Sequence, residues 1–124
     1  MANKKKQSGD IETLMRAVVV FRDARNWKQF HNPKDSAISL VLEAAEVMEH
    51  FQWKNKPEMR EHVRKHKQDI ADELSDVLYW VLLIAHDLAI DIPKSFKRKL
   101  KENKRKYPVA KSKGKHHKYT AYTS

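Results

Sequence analysis

Two short acidic clusters are the part of the chain whose residue types and spacing suit chemistry. Glu43 and Glu46 lie three residues apart, and Glu73 and Asp76 repeat that spacing further along the chain. On a helix, residues at i and i+3 share one face, and apolar residues directly follow both pairs. Ionised carboxylates are rarely set into apolar faces unless a cation meets them there. The pattern therefore predicts a site for a hard divalent cation such as Mg²⁺, which prefers oxygen ligands.

The same spacing has a structural interpretation. Two amphipathic helices can carry acids at the border of a core, where nearby Lys or Arg side chains pair with them, and the spacing alone leaves this open. A ferritin-like di-iron centre is disfavoured because it needs Glu-x-x-His, and no acid here has a His three residues later. Ligation by oxygen alone indicates Mg²⁺ or Mn²⁺, the ions that serve phosphate chemistry.

Aromatic and histidine side chains are the other candidates for chemistry. Trp27 and His31 precede the segment with the first acidic pair, and Trp53 follows it. These rings either stack on a nucleobase or pack in the core. His62 and His66 have the spacing of a zinc pair but lack the Glu of an H-E-x-x-H motif. We interpret them as surface histidines.

Helices must position these residues. With only two glycines and four prolines in 124 residues, the composition predicts one all-α domain. We expect four helices, over about residues 10–27, 35–53, 68–88 and 91–106, with 58–66 either a short helix or the start of the third. We expect Asp10 to cap the first helix, Asp35 or Ser36 to cap the second, and the fourth to start at Asp91. Residues 77–85 are apolar nearly all the way round. A helix of that kind must be covered on every side, so we expect a partner subunit to help bury it.

The excess positive charge belongs to one stretch. Residues 97–118 hold eleven of the 26 Lys and Arg residues and one of the 16 acids, so this stretch alone accounts for the net charge of +10. Such a stretch binds polyanions, either nucleic acid or a triphosphate, or acts as a solubilising tail. The chain has no cysteine, no signal-peptide pattern and no apolar run long enough to span a bilayer. We expect a soluble cytoplasmic protein without membrane contact.

Together the motifs resemble a known family. They are Phe21-x-x-x-Arg25-x-Trp27-x-x-Phe30-His31-x-Pro33, Glu43-x-x-Glu46, Phe51-Gln52-Trp53, Glu73-Leu74-Ser75-Asp76-Val77-Leu78 and Asn103-Lys104-Arg105-Lys106-Tyr107-Pro108. In this order, over about residues 15–110, they are similar to the MazG-like nucleotide pyrophosphohydrolases. The nearest branch is that of the dCTP pyrophosphatases and related all-α NTP pyrophosphatases.

The resemblance implies a Mg²⁺-dependent hydrolase that converts a nucleoside or deoxynucleoside triphosphate, with dCTP a candidate, to the monophosphate and pyrophosphate. By position, the four acids are implied as metal ligands and catalytic residues. Substrate binding is implied for Trp27, His31, Trp53, Trp80, Lys99, Asn103 and Arg105. Trp80 stands where relatives carry a Tyr, and Tyr79 is next to it.

The resemblance also implies a fold and an assembly. It predicts a four-helix bundle of the all-α NTP pyrophosphatase type, assembled as a homodimer or homotetramer. The domain would span residues 10–110, between a disordered N-terminus (1–9) and a basic tail (111–124). The alternative is a helical nucleic-acid-binding module that uses residues 97–118. That alternative leaves the four acids without a role, so we expect no nucleic-acid partner.

Overall fold

The computed structural model describes residues 10–121, and every regular element in this range is helical. The predicted disordered segment 1–9 lies outside the described residues. The all-α class is confirmed. The elements are α1 (Ile11–Ala24), a 3₁₀ turn (Lys28–Phe30), α2 (Pro33–Glu49), α3 (Lys56–Asp87), α4 (Ile92–Lys106), α5 (Val109–Ser112) and a second 3₁₀ turn (Tyr119–Ala121).

The helix starts follow from local capping chemistry. Asp10 caps α1 and Asp91 caps α4, as predicted, each accepting a hydrogen bond from a backbone N–H three residues on. The predicted cap of α2 at Asp35 or Ser36 is wrong. Asn32 accepts from the Asp35 N–H at 2.9 Å, and Pro33 occupies the first turn. Pro fits there because the N–H that it lacks would have no helical partner.

The third helix is longer than its apolar pattern suggests. It begins with a capping box between Asn55 and Glu58 and continues to Asp87, so the charged segment 58–66 is its start rather than a separate helix. His66 has non-helical backbone angles (φ −122°, ψ 29°), which mark a kink. The kink separates the charged first part of α3 from the part that carries the second acidic pair.

The core of the first part of the chain is formed around α3. Residues up to Ala89 form one compact unit, in which α1 and α2 both pack against α3. Leu82, Leu83 and Ala85 are buried within this chain alone. Much of the stretch predicted to need a partner is therefore covered by the chain itself. Other apolar side chains of the unit stay exposed, including Leu74 at 53% and Val41 at 65%.

Residues from Ile90 onward form a second compact unit. In it, α4 carries Lys99, Asn103 and Arg105, which are predicted to bind substrate. Part of the stretch predicted as a tail is folded: the Tyr119 ring contacts the ring of Tyr107, with centroids 6.0 Å apart, and Lys106 Nζ lies 4.6 Å from the Tyr119 centroid. Across residues 10–121, no helix combines the length and apolar character of a membrane span.

Candidate active site

The four acids come from two helices that pack together. Glu43 and Glu46 lie on α2, and Glu73 and Asp76 lie on α3 beyond its kink. The pKa of Glu43 is raised, first by burial and then by the charges of Glu46 and Asp76, with a smaller contribution from Glu73. This mutual influence means that the two pairs lie within electrostatic reach of each other. The helical phases predicted from spacing thus bring the acids together.

Glu43 lacks the compensation that a buried carboxylate normally has. Its Oε2 is buried and has no hydrogen-bond partner, and the groups that shift its pKa include no cation. A partly buried carboxylate beside other acids and without a cation costs free energy, which a bound cation would recover. The structural interpretation, in which Lys or Arg side chains neutralise these acids, does not describe Glu43.

The donor set suits a hard cation. Four carboxylates offer oxygen ligands alone, the set that Mg²⁺ and Mn²⁺ prefer, and the orphaned Glu43 oxygen is available to one. As the side chains stand, no three Asp, Glu or His within residues 10–121 converge closely enough to hold an ion. The residue types and their electrostatic influence on one another therefore fit a metal ion. The side chains of residues 10–121 do not form a complete coordination shell as they stand.

A cleft opens beside the acids. It has a volume of about 540 Å³, and two of the acids, Glu43 and Asp76, lie on its wall. Trp27 and Trp80, both predicted to bind substrate, also line it. The remaining lining residues are Ala17, Val18, Phe21 and Tyr79. A cleft lined by both acids and aromatic rings can take a ligand that has a charged part and a planar part.

The aromatic wall of the cleft is held in a fixed arrangement. Phe21 makes edge-to-face contacts with Trp27, at 5.7 Å between centroids, and with Tyr79, at 6.2 Å. The Arg25 guanidinium lies 3.9 Å from the Phe21 centroid. Burial raises the pKa of Tyr79. From the sequence, Phe21 and Tyr79 had no predicted role. Two features could have indicated one: Phe21 belongs to the same motif as Trp27, and Tyr79 is next to Trp80.

His31 lies apart from this cleft. It lines a second cavity of about 220 Å³, together with Ser36 and Asp87 among others. Its ring contacts Trp80 edge-to-face, with centroids 5.2 Å apart, and its Nδ1 is buried without a partner. Burial, followed by the charge of Arg22, lowers the pKa of His31. His31 thus contacts a residue that lines the cleft, and its own binding of substrate stays a prediction.

An ion pair that sequence reasoning missed lies beside that second cavity. Arg22 is completely buried, and its Nη1 donates to Asp87 Oδ2 at 2.7 Å. Burial alone would raise the pKa of Asp87, but the hydrogen bonds from Arg22 and His86 lower it overall. The two residues are 65 positions apart, so no local pattern indicates the pair.

Of the other predicted substrate-binding residues, Trp53 does not line the cleft. Trp53 is 91% exposed, in the turn after α2, with a positive φ of 72° that non-glycine residues rarely adopt. Lys99, Asn103 and Arg105 lie on α4 in the second unit. Lys99 is paired with Glu102 at 3.2 Å. Substrate binding by these four residues stays a prediction.

Three comparisons with known proteins agree with one another. The sequence profile of the MazG-like family matches residues 38–121. Over 112 residues, 89% of this chain, the sequence is 35% identical to dCTP pyrophosphatase 1 of Rattus norvegicus and 32% identical to that of Homo sapiens. The aligned part covers 66% of each of these relatives.

A solved structure is similar as well. A pyrophosphatase from Archaeoglobus fulgidus DSM 4304 superimposes with a TM-score of 0.78 and 33% sequence identity, covering 87% of this chain and 99% of the other. The resemblance drawn from the motifs is thus confirmed by sequence and by fold. The chain belongs to the MazG-like family.

Proposed function

We propose that the protein is a metal-dependent nucleoside triphosphate pyrophosphohydrolase. The observation that carries this proposal is Glu43, which lies on the wall of an aromatic cleft with a partnerless buried oxygen and a pKa raised by burial and by neighbouring carboxylates. The names of the similar proteins, dCTP pyrophosphatase and pyrophosphatase, support the same chemistry. We take a nucleoside or deoxynucleoside triphosphate as the substrate, with dCTP the first candidate.

The reaction adds water across the phosphoanhydride bond between the α and β phosphates. An oxygen–phosphorus bond forms at the α phosphate, the bond to the bridging oxygen breaks, and pyrophosphate leaves with the electron pair. Mg²⁺ or Mn²⁺, held by Glu43, Glu46, Glu73 and Asp76, would neutralise phosphate charge and make the water more acidic. The proton that the water loses passes to a carboxylate of the cluster.

The chain's own residues would bind and orient the substrate. Trp27 and Trp80 line the cleft beside the acids, so a base stacked there would bring its phosphates towards the carboxylates. Such stacking contributes about 1–3 kcal/mol per base. Trp53 would add to base binding, and Asn103, with Lys99 or Arg105, would meet the substrate from α4, as the family resemblance implies.

We further propose that the protein acts as a homodimer or homotetramer in the cytoplasm. Exposed apolar side chains recur on α2 and α3 at Ile38, Val41, Leu42, Leu74 and Leu78. A patch of this kind is typical of an interface. Light scattering at micromolar concentration tests this, and a stable monomer of 14.7 kDa would contradict it.

The experiment for the activity is a screen for pyrophosphate release. The purified protein is incubated with the common NTPs and dNTPs, in Mg²⁺ and in EDTA. We expect Mg²⁺-dependent conversion to the monophosphate, abolished by Glu43→Gln. The matched control is Glu61→Gln, which removes a charge of the same type at an exposed surface ion pair on α3 and should leave the rate unchanged.

A nucleic-acid-binding module is the competing outcome. If no nucleotide is cleaved while a labelled oligonucleotide binds with strong dependence on salt, the basic stretch 97–118 is the functional surface and the proposed enzyme is wrong.

A further inference from the structure

Three histidines form a contact chain that ends on one of the four acids. His50, at the C-terminal end of α2, has its Nδ1 2.7 Å from Nε2 of His62, and its Nε2 in contact with Oε2 of Glu73. His62 stacks on His66, with ring centroids 4.5 Å apart. The prediction that His62 and His66 are ordinary surface histidines is therefore wrong for His62.

The contacts of His50 link the two sides of the kink in α3. His62 precedes the kink at His66, and Glu73 follows it. In a straight helix, residues eleven apart share a face and lie about 16 Å apart. The His50 ring reaches both of them from α2. Only 13% of its side chain is exposed, and only 24% of that of Glu73, so the contact is largely shielded from water.

The contacts of His50 show how it can orient Glu73. An ionised carboxylate only accepts hydrogen bonds, so His50 donates to Glu73 from Nε2. On the other side of the ring, Nδ1 of His50 shares a hydrogen bond with Nε2 of His62, and the tautomers of the two rings decide which nitrogen donates. The contact with His62 holds the His50 ring in one orientation, and His50 occupies Oε2 of Glu73.

We propose that His50, held by His62, is a positioning residue that orients the Glu73 carboxylate for metal binding. With Oε2 taken by His50, Oε1 is the oxygen left for a cation. Partners that orient a ligating carboxylate typically contribute 10–100-fold to metal affinity. The inference rests on the proposed function, in which Glu73 is a metal ligand.

The first test examines the tautomer in the metal-free protein. Long-range ¹H–¹⁵N NMR correlations separate histidine nitrogens that carry a proton from those that do not. We expect His50 to carry a proton at Nε2, and we expect His62→Phe to change the His50 spectrum. Finding His50 protonated at Nδ1 instead would overturn the proposal, because its Nε2 would have no proton to donate.

The second test measures Mn²⁺ binding by calorimetry without nucleotide, in variants whose melting curves show a native fold. His50→Leu removes the donor and should weaken Mn²⁺ binding 10–100-fold. His50→Gln keeps an amide donor and should recover part of that loss. His62→Phe keeps a ring but loses the hydrogen bond to Nδ1 of His50, so it should weaken Mn²⁺ binding less than His50→Leu does. The control is His116→Gln, at an exposed histidine outside the chain of contacts, which should bind as the wild type does.

Several outcomes decide the proposal. Unchanged or tighter Mn²⁺ binding by His50→Leu, or no Mn²⁺ binding by the wild type, would overturn it. If the wild type hydrolyses nucleotides while His50→Leu binds Mn²⁺ normally, only the positioning role is lost. If Mn²⁺ binding responds as expected while no nucleotide is cleaved, the proposed function fails and the positioning role stands.

Discussion

Two groups of charged residues in the first unit include residues of α3. They differ in the charge of the groups that lie beside the carboxylate. Asp87 meets the buried guanidinium of Arg22 at 2.7 Å, and the pKa of Asp87 is lowered despite its burial. Glu43 lies near Glu46 and Asp76 instead, and burial together with these charges raises its pKa. A carboxylate paired within the fold serves stability. A carboxylate among like charges costs stability, which is the pattern expected of the metal site that we propose.

The largest expected effect is on turnover. Asp76→Asn keeps the shape of the side chain but removes a charge from the carboxylate group, so kcat/KM should fall by at least about 100-fold, beyond the effect of losing a metal-ligand partner alone. The fold should survive, and the metal-free variant should melt at the same temperature or higher because repulsion is relieved. Asp72→Asn, on the exposed surface of the same helix, is the control. Full activity of Asp76→Asn with unchanged Mg²⁺ dependence would contradict the assignment.

The next largest effect is on stability. Here the loss of a carboxylate charge is expected to destabilise the protein. Asp87→Asn leaves the buried Arg22 charge without its closest partner, and breaking a buried pair from one side costs about 3 kcal/mol or more. Asp23→Asn is the matched control, because Asp23 contacts Arg22 at 3.2 Å but is 53% exposed. An exposed partner contributes about 1 kcal/mol or less. Urea denaturation measures the free energy of unfolding of both variants. Equal losses would show that the ion pair with Asp87 contributes no more to stability than the exposed one with Asp23.

The smallest effect is the pH dependence of that stability. The pKa of Asp87 in the folded protein lies below its ordinary value of 3.8. The stabilisation by the ionised side chain is therefore complete above that value, and it is lost as the pH falls through the lowered pKa. The stability difference between wild type and Asp87→Asn should be constant from about pH 5 to 7 and should shrink below about pH 4. Urea denaturation in EDTA across this range measures the difference, and a gap that widens on acidification would refute the sign.

Much of the fold could be predicted from the sequence, because the helix starts depend on neighbouring residues. Asp10 and Asp91 stand before helical patterns and cap them, because a short acceptor side chain satisfies free backbone N–H groups. At α2 the same reasoning selected Asp35, while the structure uses Asn32, since Pro33 supplies the first helical turn. The start of α3 was left undecided because the charged residues before the kink lack an apolar period.

Some features of the candidate site could likewise be predicted from the sequence, and others could not. The sequence by itself determined the helices and the phase of the four acids, because i,i+3 spacing acts within one helix and needs no other part of the chain. Tertiary structure alone decided which groups meet these acids and which do not. It paired Asp87 with Arg22, placed His31 across Trp80 from the cleft, and set His50 between His62 and Glu73. Contacts of this kind depend on how α1 and α2 pack against α3, and packing joins residues whose distance along the chain carries no signal.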